Sequence, residues 1–578
     1  MALQFDSNLQ NLVYQMDEGT GRQVIQAVLF ALFAFAMAAL VTFTNFQGLK
    51  NARAMDEAQL ARNLAEGAGL RTQCVRPLSI GHLAARSPEG AASVQSHPDL
   101  MNPPVWPVLL AGVFRITGIP DTGVPTTSNV FGWDYVPVGL SHFFTMLSAL
   151  WVWMIARKLF DRRAAVLSAL SFLISDLTWG ASLKGGGLSA AVFFGLGAVY
   201  ATLRAAEPSE APPEKGGGAA WRWLLPLALA AGMTVLAILT RYGTAALVPV
   251  IFLYLGLSRR RRPWAVACLY AGLVLLMLVP WMVRNTALSG HVFGLTGIEL
   301  LSGTHLFPGD VLFRTLEPEW PDFGAALYYV QLKMIANLRQ FVSGGLGLAS
   351  GGVLLGLFAA MYLHRFVRPS SRTLRWCLLP GVAVLVLSAS AFGEDSLDTL
   401  AVFWPLAIPY AWAFFLVLLD RLQFEVRFLA GVAMAGVMFL AGLPLLLNVL
   451  PPRSGLTYPP YFHRYIGWIS SMADPGECMV TDIPWAVAWY GGKTAVQLPR
   501  NIEGFLEIHR RHHPVAMAYF TPLTRDKPWV RGLTDPSATD HDWYQLFAAG
   551  RVPDPFPLTH GRFVAGNDQL ILADRPRW

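Results

Sequence analysis

The chain has 578 residues, of which 54% are hydrophobic and 14% are charged, and its mean hydropathy is +0.42. Soluble globular proteins carry about 25% charged residues, so this composition excludes an ordinary soluble enzyme. Many of the basic residues behind the formal net charge of +7 lie in short loops between apolar runs, which indicates orientation in a membrane and not binding to nucleic acid.

Long apolar runs recur through the first three quarters of the chain. A helix of about 20 apolar residues spans a bilayer, and the runs predict a polytopic α-helical membrane protein. The first run lacks a small-residue cleavage site after it, so we expect it to be retained. The eleven predicted spans cover residues 24–46, 136–156, 164–181, 187–203, 222–240, 243–257, 264–283, 344–363, 376–392, 399–419 and 428–448.

The basic loops between these spans predict the orientation of the chain. Positively charged loops face the cytoplasm. If the N-terminus is cytoplasmic, the basic loops share its side, and the loop after the first span and the chain after Leu450 lie on the opposite face. The basic residues are Arg157, Lys158, Arg162, Arg163, Arg204, Lys215, Arg222, Arg259, Arg260, Arg261, Arg262, Arg365, Arg368, Arg372, Arg375, Arg421 and Arg427.

One short apolar segment, residues 103–117, does not fit this alternation as a span. It carries Trp106 and Arg115, and a crossing here would move the later basic loops to the outer face. We therefore expect a helix that lies in the outer interface. A short true span is the alternative.

The polar segments predict two domains. Residues 1–448 form a membrane domain whose first outer loop covers 47–135, and residues 449–578 are long and polar enough for a soluble domain. Within the soluble domain, residues 478–482 and 516–520 predict buried strands, and residues 502–511 predict a helix between them. This alternation indicates a small α/β domain. The Pro- and Gly-rich residues 207–218 predict a flexible connector in the membrane domain.

Asp56 and Glu57 follow the first span at the start of a helical pattern in which Leu60 and Leu64 share one face. The pattern predicts an amphipathic helix that lies on the membrane and ends at Gly67. Acidic residues in the first turn suit the helix dipole. Two carboxylates just outside a membrane are equally well placed for chemistry on a lipid-borne substrate.

Further polar side chains are predicted at the same outer face. Cations at outer helix ends run against the usual charge bias, so Lys184, Arg241 and Arg284 indicate an anionic partner such as a lipid phosphate. Snorkelling to lipid headgroups is the alternative. The other polar residues at this face are His97, Asp99, Asn102, Asp176, Glu394, Asp395 and Asp398.

Short motifs add little to this picture. No Walker, HExxH or GxSxG motif stands in the right context. The run Lys184-Gly185-Gly186-Gly187 lacks the spacing of a phosphate loop and a preceding strand, although free N–H groups at a helix start can bind an anion.

The four cysteines do not have the spacing of a metal site. Cys268 and Cys377 fall inside predicted spans. Cys74 and Cys478 both fall outside the membrane, where a disulfide between them is compatible with an oxidising compartment.

Several segments in order resemble the integral-membrane GT-C glycosyltransferases, especially the bacterial group related to protein O-mannosyltransferases and the lipid A aminoarabinose transferase. The resemblance covers nearly the whole chain. The segments are Asp56-Glu57-Ala58, Asn102-Pro103-Pro104-Val105-Trp106-Pro107, Ala156-Arg157-Lys158-Leu159-Phe160-Asp161-Arg162-Arg163-Ala164-Ala165, Leu239-Thr240-Arg241, Pro280-Trp281-Met282-Val283-Arg284-Asn285, Val480-Thr481-Asp482-Ile483-Pro484 and Trp489-Tyr490-Gly491-Gly492-Lys493.

The resemblance implies a GT-C fold with about eleven membrane helices, outer juxtamembrane helices and a small C-terminal α/β domain. It implies an inverting transferase in a bacterial inner membrane that moves a sugar from a polyprenyl-phosphate donor to an envelope acceptor, with a periplasmic C-terminal domain. Membrane lipids are expected partners and nucleic acid is not.

The resemblance also implies roles for individual residues. The expected catalytic residues are Asp56, Glu57 and Asp176, the expected phosphate ligands are Lys184, Arg241 and Arg284, and the expected substrate contacts are His97, Asn102, Glu394 and Asp395.

Two departures from the family pattern affect these assignments. A second acid that many relatives have near the fourth span is absent here, and Asp176 is its candidate substitute. The Arg-Tyr pair of many relatives is replaced by the acidic segment from Glu394 to Asp398. No cofactor is assigned, a divalent metal remains possible, and the sugar and the acceptor are not assigned.

Two other functions are alternatives. A transporter or flippase would need ionisable residues well inside the spans and inverted repeats, whereas the predicted spans carry few central charges. A non-catalytic lipid-binding scaffold of the same fold is the second alternative, because the second acid is missing.

Overall fold

The computed structural model describes residues 20–86, 94–122, 128–207, 223–258, 262–345, 352–423, 427–450, 461–526, 535–536, 539–547, 552, 555–564 and 569–578. The predicted connector at 207–218 lies outside these residues except for Glu207. The basic residues Lys215, Arg222, Arg259, Arg260 and Arg261 also lie outside them.

Helices make up most of the described chain. The helices are numbered in chain order from α1 to α22. They are α1 (Thr20–Asn45), α2 (Ala52–Ala65), α3 (Pro77–Arg86), α4 (Val105–Thr117), α5 (Tyr135–Leu159), α6 (Arg162–Leu173), α7 (Asp176–Leu183), α8 (Leu188–Ala205), α9 (Leu224–Thr240), α10 (Leu247–Gly256), α11 (Pro263–Ser289), α12 (Val311–Arg314), α13 (Phe323–Gln340), α14 (Val353–Ala360), α15 (Pro369–Phe392), α16 (Ser396–Arg421), α17 (Arg427–Val449), α18 (His463–Ser471), α19 (Pro484–Ala486), α20 (Ile502–Glu507), α21 (Leu523–Asp526) and α22 (Tyr544–Phe547).

The long apolar helices confirm a multi-pass membrane protein. Seven helices in the described chain are long and apolar enough to cross a bilayer: α1, α5, α8, α11, α15, α16 and α17. The pair α6 and α7 is bent by 46° at a short break and provides an eighth span if it crosses as one unit. Shorter apolar helices at Leu224–Thr240, Tyr242–Gly256 and Val353–Leu363 coincide with the other three predicted spans. The number eleven therefore stays a prediction.

Helices α11 and α15 each begin at a proline and end at a glycine. Helices α11 and α15 begin at Pro263 and Pro369, where the missing N–H costs no helical hydrogen bond. They end at Gly290 and Gly393, which both have a φ of 75° in the left-handed region. Glycine adopts this conformation without strain, so the backbone turns sharply at the end of each helix.

The apolar core of the bundle lies among α5, α7, α8, α15 and α16. Two of the buried indoles within it donate to serine hydroxyls. Trp404 and Trp412 donate to the hydroxyls of Ser175 and Ser171, at 3.1 and 2.6 Å. Ser175 lies at the bend between α6 and α7 and Ser171 lies in the last turn of α6, so these indoles find polar partners inside an apolar core.

A six-stranded sheet forms the second part of the structure. The strands are β1 (Cys74–Val75), β2 (Cys478–Thr481), β3 (Thr494–Gln497), β4 (Val515–Phe520), β5 (His560–Val564) and β6 (Gln569–Ala573), in the order β1-β3-β2-β4-β6-β5. Strands β1 to β4 are parallel, and β5 and β6 complete an antiparallel edge. The prediction of a small C-terminal α/β fold is confirmed.

The first outer loop contributes strand β1 to this sheet. Cys74 pairs with Ala495 and Val75 with Val496 in parallel register. The two cysteines that lie outside the membrane are on β1 and β2, with β3 between them, and both thiols are free and buried. The domain boundary at 448/449 stays a prediction, but the sheet itself uses residues from both sides of it.

Helix α2 is buried on all sides, so the expected position on the membrane surface is wrong. All ten residues from 54 to 63 are buried, including the polar ones. The C-terminal part of the chain covers the helix: Arg62 donates to the carbonyl oxygens of Ala488 and Trp489, at 2.9 and 3.2 Å. Asn51 caps the first turn through Arg53 N, at 2.9 Å. Long-range docking, and not the amphipathic pattern, decides the burial of α2.

Helix α4 packs against α2 and keeps part of its apolar surface exposed. Its 13 residues extend about 20 Å, which is shorter than a bilayer core of about 30 Å. Val108 and Ile116 are exposed, while Arg115 donates to the carbonyl oxygens of Leu64 and Ala65 at the end of α2. This arrangement fits the predicted juxtamembrane helix.

Asp134 joins the sheet to the bundle. Its fully buried carboxylate accepts hydrogen bonds from Leu49 N at 3.2 Å, Trp489 Nε1 at 2.8 Å and the Tyr490 hydroxyl at 3.0 Å. Leu49 follows the first span, and the two aromatic residues follow β2. We call the end of the bundle that carries these contacts the sheet end.

Replacing Asp134 with Ala should lower the free energy of unfolding, because three buried donors lose this acceptor. A buried donor left without a partner costs about 1–3 kcal/mol. We therefore expect a lower thermal midpoint for the purified full chain in detergent. Asp121→Ala, at an exposed aspartate, is the control. Equal thermal midpoints for Asp134→Ala and Asp121→Ala would contradict this stabilising role of Asp134.

Candidate active site

A cavity of about 600 Å³ lies at the sheet end of the bundle. Its floor and walls come from the start of α2, the α7–α8 turn, the end of α9 and the α15–α16 turn. The C-terminal part of the chain contributes Trp485 and Gln497, and Gln497 donates to Asp310 at 2.9 Å. One cavity therefore brings together segments from across the whole sequence.

Asp56 is buried in the wall of this cavity. Its Oδ2 accepts from Arg76 Nη2 at 3.1 Å and from Asn102 Nδ2 at 3.2 Å, and its Oδ1 accepts from Gln59 Nε2 at 3.1 Å. A carboxylate has about four acceptor positions. Three donors therefore fix its orientation and leave room for one further partner from the cavity.

Glu57 points to a different part of the cavity, because adjacent helical positions are about 100° apart. Its Oε2 accepts from Gly187 N at 3.3 Å, at the start of helix α8. Burial raises the pKa of Glu57 from 4.5 to about 7, although Arg53, the Gly187 N–H and Arg241 oppose this shift. Gly187 fits here because it is glycine: a Cβ at this position would lie 2.9 Å from the side chains of Thr240 and Trp106.

Four charged side chains form what we call the ion-pair cluster: Lys184, Arg241, Glu394 and Asp398. Lys184 contacts Asp398 at 2.6 Å, and Arg241 contacts Asp398 at 3.5 Å and Glu394 at 3.4 Å. All four line the cavity. Burial disfavours the charge of Glu394, but Arg241 and then Arg53 outweigh it and lower its pKa. Two cations are thus held at the cavity by Glu394 on the α15–α16 turn and Asp398 in the first turn of α16.

The structure places the predicted site residues in two groups. Asp56, Glu57, Asn102, Lys184, Arg241 and Glu394 line the cavity. Asp395 is adjacent to it, where it contacts Lys184 at 3.1 Å. The structure therefore brings these residues together at one site, and their individual roles stay predictions.

Asp176, His97 and Arg284 do not line the cavity. Asp176 starts α7 and accepts from Asn448 Nδ2 at 2.6 Å, outside the cavity, so its catalytic role as a substitute for the second acid stays a prediction. His97 is buried against the Ser79 hydroxyl at 2.8 Å, and burial lowers its pKa to about 4. Arg284 donates to the carbonyl oxygen of Asp99 at 2.9 Å and stacks on Trp281. These contacts support the wall behind Asp56.

Asp99 and Asn102 connect this supporting layer to the site. Asn102 donates from its side chain to Asp99 Oδ1 at 3.1 Å and to Asp56 Oδ2 at 3.2 Å. Burial, followed by the nearby Asp56, raises the pKa of Asp99 to about 6. The amide of Asn102 therefore separates and bridges two acids.

Arg76 is the important residue that the sequence prediction missed. It follows strand β1 directly, lines the cavity and pairs with Asp56. Burial opposes its charge, but Asp56 raises the pKa of Arg76 above its ordinary value. In the sequence, Arg76 is one more arginine of the first outer loop, and no local pattern distinguishes it from Arg71.

The arrangement suits acid–base chemistry on an anionic substrate. An oriented carboxylate, a titratable glutamic acid, four cations and a helix N-terminus share one partly apolar cavity; the cations are Arg53, Arg76, Lys184 and Arg241. In the described part of the chain, no group of three or more His, Cys, Asp or Glu side chains is arranged to hold a metal ion. We therefore assign no metal ligand.

Comparisons with known proteins find one matching family model. Residues 102–283 match the family model described as dolichyl-phosphate-mannose-protein mannosyltransferase, and this segment includes Asn102, Lys184 and Arg241. A search of curated protein sequences finds no significant match.

Solved structures with similar folds share little sequence identity with the chain. ArnT from Cupriavidus metallidurans, bound to undecaprenyl phosphate, is similar with a TM-score of 0.58, 12% identity, and coverage of 95% of this chain and 98% of ArnT. The oligosaccharyltransferase AglB from Archaeoglobus fulgidus, bound to an inhibitory peptide and a dolichol-phosphate, is similar with a TM-score of 0.56, 11% identity, and coverage of 86% and 70%. The chain has the fold of the GT-C superfamily, which confirms the resemblance recognised in the sequence.

The buried Glu57 should titrate near neutral pH. Infrared difference spectra between the wild type and Glu57→Gln should show a protonated carboxyl band that disappears with a midpoint of about pH 7. A carboxyl whose pKa is raised on folding stabilises the fold below its ordinary pKa of 4.5 and loses this contribution as the pH rises to about 7. The wild type should therefore lose stability relative to Glu57→Gln over this range.

The exposed Glu66 at the end of the same helix provides the control. Glu66→Gln should leave the band in place. A stability difference between wild type and Glu57→Gln that does not change with pH would contradict the raised pKa.

Proposed function

We propose that the chain is a glycosyltransferase that moves a sugar from a polyprenyl-phosphate donor to a cell-envelope acceptor. The observation that carries this proposal is the fixed carboxylate of Asp56 in a cavity shared with Lys184 and Arg241. The family match and the ArnT-like fold support the same chemistry, because the ArnT structure holds undecaprenyl phosphate and the AglB structure holds dolichol-phosphate.

The donor phosphate needs positive charge at the reaction centre. Lys184 and Arg241 provide two cations whose positions are set by Glu394 and Asp398. Charged hydrogen bonds to a phosphate strengthen as negative charge develops on the leaving oxygen. The two cations therefore stabilise the departing polyprenyl phosphate more strongly than the intact donor.

Asp56 acts as the general base in this proposal. The acceptor oxygen forms a bond to the anomeric carbon while the bond from that carbon to the phosphate oxygen breaks. Asp56 takes the acceptor proton, and the polyprenyl phosphate leaves with the electron pair. A single displacement of this kind inverts the configuration at the anomeric carbon. Arg76, Asn102 and Gln59 hold the carboxylate for this step.

Glu57 and the start of α8 regulate the charge beside the donor. The Gly187 N–H that Glu57 accepts is one of the free groups at a helix N-terminus, where an anion binds favourably. A neutral Glu57 is a weaker competitor for this N–H than the carboxylate. Donor affinity should therefore fall as the pH rises through about 7, which is the raised pKa of Glu57.

The lipid part of the donor has an apolar route. The cavity lining includes the apolar side chains of Ile238, Val384 and Phe392, and Val384 is 44% exposed. These side chains suit contact with the lipid chain of the donor. Trp485 and Gln497 line the same cavity, come from the C-terminal part of the chain and are candidates for acceptor contacts.

The orientation follows from the charges at the two ends of the bundle. Arg368 donates to the carbonyl oxygen of Lys158, and Arg162 donates to Gln26, at the end opposite the sheet. Basic residues favour the cytoplasmic side. We therefore place the cavity and the C-terminal domain on the periplasmic side of a bacterial inner membrane, with the N-terminus in the cytoplasm.

Asp56→Asn should lower kcat for sugar transfer by about 10²–10⁴, because a general base contributes a factor of this size. Donor binding should stay close to the wild-type value, since Asn keeps the size of the side chain. The thermal midpoint should fall, because the buried Arg76 loses its charged partner, so the rate is compared on folded protein. Radiolabelled or mass-tagged sugar transfer in reconstituted vesicles measures the rate.

Asp121→Asn, at an exposed position, is the matched control. Wild-type transfer by Asp56→Asn would remove Asp56 from the mechanism. Donor binding without transfer by the wild type, under any acceptor tested, would favour a non-catalytic scaffold.

Arg241→Gln should raise the Kd of the donor lipid by about tenfold or more, because a charged hydrogen bond contributes about 1.5–3 kcal/mol. Arg241→Lys should retain part of the affinity. Binding of a polyprenyl phosphate by the purified chain measures the effect. Arg71→Gln, at an exposed arginine of the first loop, is the control. Equal losses in both arginine-to-glutamine variants would contradict a specific phosphate site.

A further inference from the structure

Helix α13 has an unusual distribution of polar and apolar side chains. Most of its large apolar residues lie on an exposed arc, with Gln331 and Arg339 as the polar residues among them. Phe323 is 84% exposed and Ile335 is 64% exposed. The apolar members of this arc, which we call the α13 face, are Phe323, Leu327, Tyr328, Leu332, Ile335 and Leu338.

The opposite side of α13 carries polar side chains into the protein. Lys333 is buried, and its Nζ donates to the carbonyl oxygens of Glu299 and Leu300 at 3.3 and 3.2 Å. Asn337 donates to the carbonyl oxygen of Ser390 at 2.8 Å. A water-exposed helix places its apolar stripe against the core and its polar residues in water. Helix α13 does the reverse.

The surroundings of α13 indicate what covers its apolar face. The helix packs against α15, and Ser390 lies in the last turns of that span at the sheet end. The outer surface of α15 carries the exposed Leu379 and Leu387. A large exposed apolar patch marks an interaction surface. Here the exposed Leu387 lies one turn before Ser390, which Asn337 of α13 contacts, so α13 adjoins a span with an exposed apolar surface.

The aromatic residues of the segment fit the same location. Trp320 and Tyr328 are exposed just before and within α13. Tryptophan and tyrosine concentrate at membrane interfaces, where one part of the ring is apolar and the other reaches water. Asp322 caps the helix through Ala325 N at 3.3 Å and keeps its charge at the N-terminal end.

We propose that α13 lies in the bilayer leaflet on the cavity side, with the α13 face in contact with lipid. The polar side of α13 then holds the cavity in shape. Lys333 binds the end of the 3₁₀ helix Gly294–Leu301, and Thr296, Gly297 and Glu299 of this segment line the cavity. Helix α13, which lies between two of the predicted spans, is therefore anchored in lipid. This inference does not depend on the proposed activity.

Site-specific fluorescence tests this location in the full chain. Cys268 is exposed, so Cys268→Ala gives a background for labelling. A cysteine-reactive environment-sensitive fluorophore is attached at Ile335→Cys and, in a second variant, at Leu327→Cys. Leu276→Cys on α11 is the lipid-facing control, and Arg511→Cys in the C-terminal part is the water-facing control. Each variant is reconstituted in phosphatidylcholine vesicles with and without doxyl-labelled lipid.

The proposal predicts that labels at 335 and 327 behave as the label at 276. Doxyl lipid should quench them strongly, their emission should shift to the blue, and aqueous iodide should have little effect. Quenching by iodide to the extent seen at 511 would overturn the proposal. Protection from both quenchers would also overturn it, because a second protein surface would then cover the face. The thermal midpoint of each variant confirms that it is folded.

Discussion

Charged side chains inside a helix bundle need partners, and this requirement shapes the whole sheet end of the molecule. An uncompensated buried charge costs several kcal/mol. Asp56 is matched by Arg76, and Arg241 is matched by Glu394 and Asp398. Each partner comes from a distant part of the chain, so the folded bundle and the charge pattern depend on each other.

Strand β1 links the fold of the sheet to the charge pattern of the site. Two residues, Cys74 and Val75, add an edge to a sheet whose other strands lie after residue 477. The next residue, Arg76, is thereby directed to Asp56. Arg62 and Asp134 add hydrogen bonds between the same two parts of the chain. The C-terminal sheet is thus a structural support of the candidate active site and more than an appended domain.

The sequence was sufficient for the features that depend on local pattern. Hydropathy located the apolar helices, and charge at outer helix ends selected Lys184 and Arg241, which the structure brings to one cavity. The burial of α2 was not predictable in this way, because its polar residues find partners only after the C-terminal part docks. Arg284 and Arg76 show the same limit: both are outer-face arginines, and only the two-residue strand before Arg76 turns it toward Asp56.

We propose that the lipid phosphate binds between the ion-pair cluster and the start of α8, within reach of Asp56. A structure of the chain with a bound polyprenyl phosphate is the decisive experiment. We expect phosphate oxygens within hydrogen-bond distance of Lys184, Arg241 or the Gly187 N–H, with the Asp56 carboxylate facing the same space. A phosphate bound at Arg284, outside the cavity and away from Asp56, would contradict this inference.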